Sequence, residues 1–476
     1  MRIKKYEIMK IEQIYTGCLA EAAYYIESNG EVAIVDPLRE VQPYIDKAAE
    51  NGAKIKYVLE THFHADFVSG HLDLARQTGA TIVYGPTAEP SFDAYIAQDG
   101  EELKLGHVII KILHTPGHTM ESSTFLLLDE QGKEHAIFTG DTLFIGDVGR
   151  PDLAVKTDLS REDLAGHLFE SLRGKIMTLP DDVIVYPGHG AGSACGKNMS
   201  KETMDTLGRQ KLFNYALNTK LSKQDFVEAV TEGLVDPPQY FPKNAVMNKM
   251  GYGSIKEVLK RGVIALDAPY FKGVVERNQA LILDTTPASS FLSAHIPGSV
   301  WIGIDDNFAP WVGALINDLE QPIVFIVEPG REQEVVTRLA RVGYDNTLGF
   351  LDGGIEAWKA HNYDIESIDS ISSDQFVDLY QSFQLKVLDV RKTSEYDAQH
   401  LHHAISFPLD FINKNMNLID RSNKYYLHCQ GGYRSTIAAS ILTARGFDVV
   451  NIEGGLNAIK THEVPLTDYK QPTTML

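Results

Sequence analysis

Short apolar runs separated by turn residues fill the first half of the chain. Residues 22–28 and 31–37 are two such runs flanking Asn29-Gly30, which predicts a β-hairpin. A helix is expected near 41–51, a strand over 54–62 and a second helix that ends at Gly79. Further strands are expected at 80–85, 107–113, 123–130, 135–141 and 183–189, with helix-like stretches at 160–173 and 201–232. Many strands with helices outside them predict an αβ sandwich. Pro237, Pro238 and Pro242, followed by Gly251 and Gly253, remove donors and punctuate the chain, so a boundary is expected there.

Beyond that boundary the chain repeats itself. Residues 280–300 align with 385–405, setting Asp284 against Asp389 and His295 against His400, and residues 340–358 align with 443–459. Two consecutive α/β modules of about a hundred residues each account for this. The expected organisation is therefore three modules over 8–245, 255–365 and 372–470. A chain of 476 residues exceeds the roughly 250–300 that one core supports, which agrees.

Composition narrows the partners. With 44 Lys and Arg against 64 Asp and Glu, the formal net charge is −20, which repels phosphate backbones and anionic bilayers. Neither nucleic acid nor a membrane surface is expected as a partner. Three cysteines cannot build a disulfide framework, residues 1–17 lack the apolar run of a signal peptide, and no apolar run approaches the ~18 residues of a span. A cytoplasmic protein is the expectation.

His62, His64 and Asp66 stand at i, i+2 and i+4 in Thr-His-Phe-His-Ala-Asp-Phe, where a strand is expected to end. In extended chain these three share a face and converge. His118, Asp141 and His189 each end another apolar strand beside a glycine. Imidazoles and carboxylates clustered at strand ends suit a metal held by loops on a rigid sheet.

This pattern resembles the metallo-β-lactamase superfamily, and within it the glyoxalase II-like branch, over roughly residues 8–240. The superfamily pattern ends in a histidine that normally binds a second metal, and here that position is Phe67. A phenyl ring offers no lone pair, so the departure points to the mononuclear persulfide dioxygenases. Their pattern implies His62, His118 and Asp141 as ligands of one Fe(II) per chain, with His64, Asp66 and His189 orienting ligands or bound water. The stretch 140–153 is also similar to theirs. Arg150 there either binds an anionic substrate or forms an internal salt bridge with Asp152. Cys195, six residues after His189, is either a packing residue or a thiol that meets substrate. Cys18 is expected in the core.

In the last module an apolar strand runs into Cys429, then the Gly-rich turn Gln430-Gly431-Gly432-Tyr433-Arg434, then a helix opening at Ser435. Backbone N–H groups of such a turn, a helix N-terminus and the Arg434 charge would hold a thiolate or persulfide sulfur. The stretch resembles the active-site loop of rhodanese sulfurtransferases, and its Cys-x4-Arg spacing suits sulfur better than the larger phosphate. Asp389 and Arg391 are expected as a structural ion pair. At the matching place the middle module has Val327 or Glu328 and a loop expected to be about two residues shorter, so it resembles a rhodanese-homology domain without the nucleophile.

The expected fold is thus an αββα metallo-β-lactamase sandwich followed by two three-layer α/β rhodanese-like domains with mainly parallel sheets. The resemblance implies a fused persulfide dioxygenase and sulfurtransferase acting on a small-molecule thiol persulfide, O2, sulfite and thiosulfate in sulfide detoxification. Assembly into a homo-oligomer stays open. The alternative is a glyoxalase II-like thioester hydrolase carrying zinc, fused to a sulfurtransferase.

Overall fold

The computed structural model describes residues 9–153 and 159–471; residue 8, where the first module is expected to begin, and the charged residues 1–8 lie outside them. The chain divides into two compact units, the first of residues 1–255 with 340–343 and the second of 256–339 with 344–476.

The first unit contains two six-stranded sheets. One runs Lys10–Thr16, Glu21–Ser28, Glu31–Val35, Lys54–Leu59, Thr81–Tyr84 and Tyr95–Ile96 in sequence order. Its expected hairpin is present, with Ser28 paired to Glu31 and both Asn29 (φ 48°) and Gly30 (φ 77°) in the left-handed region that a two-residue turn requires. The other sheet runs Asp205–Thr206, Ile184–Pro187, Glu134–Gly140, Ser123–Leu128, Val108–His114 and Glu102–Leu105. Strand side chains alternate between faces, and that period places each sheet in two cores. Tyr24, Ile26, Leu59 and Val83 meet Ile110, Phe125 and Phe138 between the sheets. Tyr25, Val32 and Ile34 turn outward against Tyr44 and Ala48 of the helix Gln42–Glu50. Leu126, Ile137 and Val185 turn outward on the other side against Ala165 and Leu168 of the helix Arg161–Ser171 and Leu172 and Ile176 of its continuation Leu172–Ile176. The result is helix, sheet, sheet, helix, as expected.

One stretch departs from the sequence reading. Residues 201–232 do not form a continuous helix: Asp205–Thr206 adds an edge strand against Ile184 and Val185, and Asn214 ends Leu207–Phe213 by accepting the Ala216 N–H. The proline-rich segment leads into a helix, Phe241–Met250, with Pro242 in its first turn where no N–H is needed, and the main run of the first unit ends at residue 255.

The second unit holds two five-stranded sheets, each wholly parallel. The first is ordered Ala265–Leu266, Thr347–Leu351, Ile323–Ile326, Leu281–Asp284, Val300–Trp301. The second, Asp369–Ile371, Asp448–Ile452, Lys424–His428, Lys386–Asp389, Ile405–Ser406, repeats that order strand for strand. Parallel neighbours need crossovers, and helices such as Tyr433–Ala444 supply them. Among the described residues no helix is long and apolar enough to cross a membrane.

Candidate functional site

The strand Lys54–Leu59 ends in Glu60-Thr61-His62-Phe63-His64, and its polar ends gather under one rim of the sandwich. His62, His118 and Asp141 are buried, and one donor atom from each lies within 4.8 Å of the other two. His118 Nε2 is 3.3 Å from Asp141 Oδ2. Two donors each about 2.0–2.2 Å from a shared ion stand roughly 2.8–3.6 Å apart, so this separation suits a metal.

Neighbouring groups fix which nitrogen is offered. His118 Nδ1 lies 2.9 Å from the Arg150 carbonyl and donates to it, which leaves Nε2 as a lone pair facing Asp141. Thr61 Oγ1 donates to Asp36 Oδ2 at 2.8 Å and lies 3.0 Å from His62 Nδ1, so it accepts from that ring and leaves Nε2 for the centre. Burial first, then the charges of His64, His118 and His189, push the His62 pKa well down and keep the ring a neutral donor. His118 Nε2 and both Asp141 oxygens are buried without a hydrogen bond. Orphaned acceptors at this depth are costly unless a cation completes them, and the site fits a metal on that ground. Close backbone approach shapes it too: a Cβ on Gly149 would sit 2.0 Å from the Asp141 carbonyl oxygen and 3.0 Å from His118 Nδ1.

His64 lies beside His62, yet its Nε2 is 3.1 Å from Asp36 Oδ1 and 3.7 Å from Glu60 Oε2. Burial opposes its charge, but Asp36, by charge and hydrogen bond, and then Glu60 and Asp66 hold the pKa up at about 9. The fully buried Phe67 ring sits 4.3 Å from the His64 ring. Asp66, His189 and Cys195 form a neighbouring buried group whose donor atoms also lie within 4.8 Å of one another.

Arg150 does not present its charge to the site. Its Nε and one terminal nitrogen bind Asp152 at 2.6 and 2.8 Å, and its other contacts are the carbonyls of Ala194 and Val235. Of the two readings of this residue, the internal salt bridge with Asp152 is the one the contacts show. Cys18 is partly exposed rather than in the core.

Four contributors carry no sequence motif. Asp36 and Glu60 are charges ending apolar strands, Glu21 is a buried carboxyl whose oxygens take no hydrogen bond, and Asn248 donates to the carbonyls of His64 and Phe67, both at 2.7 Å, while accepting the Ser69 N–H. Asn248 thereby clamps the ligand loop from the helix Phe241–Met250.

In the second unit, Cys429 is buried at the end of the strand Lys424–His428. Gly432 adopts φ 109°, and its N–H donates to Cys429 Sγ at 3.1 Å. Ser435 and Thr436 donate to the Gly432 carbonyl. The loop rests on a second turn: Leu456 N–H donates to the Cys429 carbonyl and Asn457 N–H to that of Gln430, an approach that a Cβ on Gly455 would block at 2.5 Å. Gln430 also bonds Asn457 through its side chain and accepts from Arg391. Both terminal nitrogens of Arg434 bind Glu395, at 2.5 and 2.9 Å. Asp389 and Arg391 are paired at 2.6 Å and buried. A cavity of about 740 Å³ borders Gly431, Gly432 and Tyr433, and Trp301, Asp305 and Asp306 form part of its opposite wall.

The metallo-beta-lactamase superfamily profile matches residues 16–189, and the rhodanese-like domain profile matches 267–361 and again 372–462. A probable hydroxyacylglutathione hydrolase of Schizosaccharomyces pombe is 33% identical over 226 residues, covering 42% of this chain and 84% of that protein. The chain belongs to the metallo-beta-lactamase superfamily. Its metallo-beta-lactamase domain is followed by tandem rhodanese-like domains. Human mitochondrial persulfide dioxygenase ETHE1 is 29% identical over 211 residues, covering 44% of this chain and 74% of that one. A metallo-beta-lactamase structure from Staphylococcus aureus is 30% identical with a TM-score of 0.63, covering 72% of this chain and 98% of that one. The metal-binding site lies in the metallo-beta-lactamase domain.

Proposed function

We propose that the metallo-beta-lactamase domain oxidises a low-molecular-weight persulfide to sulfite with O2, and that Cys429 carries sulfane sulfur between persulfide, sulfite and thiosulfate. The observation that supports the first half is a convergence of two imidazoles and one carboxylate, His62, His118 and Asp141, with Phe67 where a further imidazole would serve a second ion. That donor set is the one of non-haem Fe(II) oxygenases, and iron when bound supplies open positions where O2 and sulfur meet. The likeness to human persulfide dioxygenase agrees with it. The chain's own residues prepare the site: Thr61 and the Arg150 carbonyl set the ring tautomers, and the His64 charge is held by Asp36 and Glu60.

The overall change is R-S-SH + O2 + H2O to R-SH, sulfite and two protons. At the second site, sulfite attacks the outer sulfur of a Cys429 persulfide, thiosulfate leaves, and the S–S bonding pair returns to Cys429 as thiolate. The Gly432 N–H is placed to hold that charge.

The test is O2 uptake by anaerobically prepared full chain on adding glutathione persulfide, with sulfite and metal measured on the same sample. Uptake yielding one sulfite per O2, with about one iron per chain, is expected. The likeness to a hydroxyacylglutathione hydrolase favours a second reading, thioester hydrolysis. No uptake, zinc at His62, His118 and Asp141 and cleavage of a glutathione thioester would replace the dioxygenase with it.

A further inference from the structure

The cavity beside the sulfur loop lies wholly within the second unit, and its volume of about 740 Å³ is that of a small-molecule site. One wall is the loop itself. Gly431 has open space where a Cβ would stand, and a Cβ on Gly432 would meet only the Gly454 amide nitrogen, at 3.7 Å. The glycine whose N–H donates to Cys429 Sγ therefore borders the cavity, so sulfur and cavity share one short stretch of backbone. The facing wall, from the middle domain, is fixed to the last domain. Trp301 donates its backbone N–H to Ser440 Oγ at 3.0 Å and its indole N–H to the Thr286 carbonyl at 2.7 Å. Tyr433 donates its hydroxyl to the Gly303 carbonyl at 2.8 Å and stands edge-on to the Trp301 ring at 5.3 Å.

Charge on these walls has one sign. Among the described residues no lysine, arginine or histidine lines the cavity, whereas Asp305, Asp306 and Glu453 do. Arg331 neutralises Asp305 at 2.7 Å, and the nearby Arg338 is held by Glu334 and the Ile304 carbonyl. Asp306 and Glu453 are exposed and, among the described residues, have no ion-pair partner. Asn451, 3% exposed, also lines the cavity, and its Oδ1 takes no hydrogen bond. An acceptor orphaned at that depth is costly until a donor completes it. The unanswered groups are thus an amide oxygen and two carboxylates, which call for N–H donors and positive charge. Sulfite and thiosulfate, being anions, are repelled here.

We propose that this cavity receives the organic arm of the thiol that exchanges sulfane sulfur with Cys429, and that Asp306 and Glu453 select a thiol bearing an ammonium group over one bearing a carboxylate. The inference rests on the sulfur-transfer reading of Cys429 and adds a substrate class to it. In the step, the carrier thiolate attacks the outer sulfur of the Cys429 persulfide. A new S–S bond forms, the old one breaks, and its bonding pair returns to Cys429 as thiolate beside the Gly432 N–H: R-S⁻ + Cys-S-SH gives R-S-SH + Cys-S⁻. The middle domain has no thiol at its own loop, yet it supplies Trp301 and Asp306 to this site. Asp306 and Glu453 act on the carrier by charge and touch no reacting atom.

The test is steady-state sulfur transfer by the full chain from thiosulfate to cysteamine, to N-acetylcysteamine, which lacks the ammonium, and to cyanide, which has no organic arm. The intrinsic reactivity of each thiol is the same with every variant, so the quantity to compare is the ratio of kcat/KM for the two thiols. Removing both charges, Asp306→Asn with Glu453→Gln, should lower the preference for cysteamine roughly three- to tenfold through its KM, the size expected of two solvent-screened charges. Reversing them, Asp306→Lys with Glu453→Lys, should lower it further and improve 3-mercaptopropionate as an acceptor. A ratio that moves in neither variant, or an equal fall with both thiols and cyanide, overturns the proposal. Absence of thiocyanate from the wild-type chain overturns the sulfur-transfer reading and this inference with it, so the two failures are told apart.

Discussion

The two rhodanese-like domains share one strand order and differ at one end of two strands. In the last domain Asp389 pairs across with His428, and the next residue is Cys429; in the middle domain Asp284 pairs with Ile326, and the next is Val327. Sheet register therefore assigns Val327, not Glu328, to the cysteine position. The loop is not shortened as the sequence suggested: three residues separate Cys429 from the helix start at Tyr433, and four separate Val327 from Glu332. The second difference lies two residues past each aspartate. Arg391 neutralises Asp389, whereas Thr286 gives Asp284 only hydrogen bonds. The same backbone thus carries an ion-paired aspartate and a thiol at that end in one copy, and a hydrogen-bonded aspartate with no thiol in the other. Topology is retained without the thiol.

The largest effect that tests this contrast is Cys429→Ser. Thiosulfate formation from sulfite and a persulfide should fall by ~10³-fold or more, since no other group at the loop can carry sulfane sulfur. O2 uptake at the metallo-beta-lactamase domain should be unchanged. Loss of both activities would mean the two sites do not work independently.

Much of this was legible in the sequence, for a physical reason. Ligand-type residues that end apolar strands, such as His118 and Asp141, are conspicuous because strands seldom spend buried positions on them, and the loop from Cys429 to Ser435 fixes its geometry locally through glycines and a helix start. Asn248 was not legible, because an amide on a helix shows nothing of the loop it clamps until the chain is folded. Arg150 was ambiguous because one residue separates it from Asp152 and only the fold decides where a guanidinium points. The 201–232 stretch misled because the edge pairing of Asp205–Thr206 is a long-range event with no local signal.

Arg391→Ala should cost about 3–5 kcal/mol of stability, the usual cost of leaving one partner of a buried ion pair alone. Asp389 and Arg391 are both buried; burial opposes the Asp389 charge, but His428 and then the Arg391 guanidinium hold its pKa below the ordinary value. A depressed carboxylate stabilises the fold above its unfolded pKa and loses that contribution as pH falls. Thermal unfolding across pH 3–7 should show the variant's deficit shrinking toward acid. An unchanged midpoint at pH 7 would show that the pair contributes nothing.

Asp284 should behave in the opposite sense. Burial, only partly offset by the Thr286 hydrogen bonds, raises its pKa to about 6. Its folded form holds the proton more tightly than an unfolded chain with a pKa near ~3.9, so stability is greatest below that value and declines as pH rises to about 6. Asp284→Asn keeps the Oδ1 acceptor that both Thr286 donors use and removes the titration. The variant should gain about 1–3 kcal/mol above pH 6.5 and nothing below pH 4. A pH-independent change would assign the effect to packing instead.

The smallest expected effect is the most pointed test of what the middle domain lacks. If the thiol were the whole difference, Val327→Cys in a Cys429→Ser background would restore sulfur transfer. It should not. Gly432 N–H points at Cys429 Sγ because Gly432 takes φ 109°, and the helix begins at the following residue. After Val327 come Glu328, Pro329 and Gly330, where proline has no N–H to give and an acidic side chain replaces Gln430. A thiolate placed there meets one amide fewer and one negative charge more, both of which disfavour it. Activity should remain at the Cys429→Ser background while an alkylating reagent finds the new thiol slow to react at pH 7. Recovery of transfer would show instead that the fold alone supplies the sulfur cradle and that the middle domain differs from the last by a single side chain.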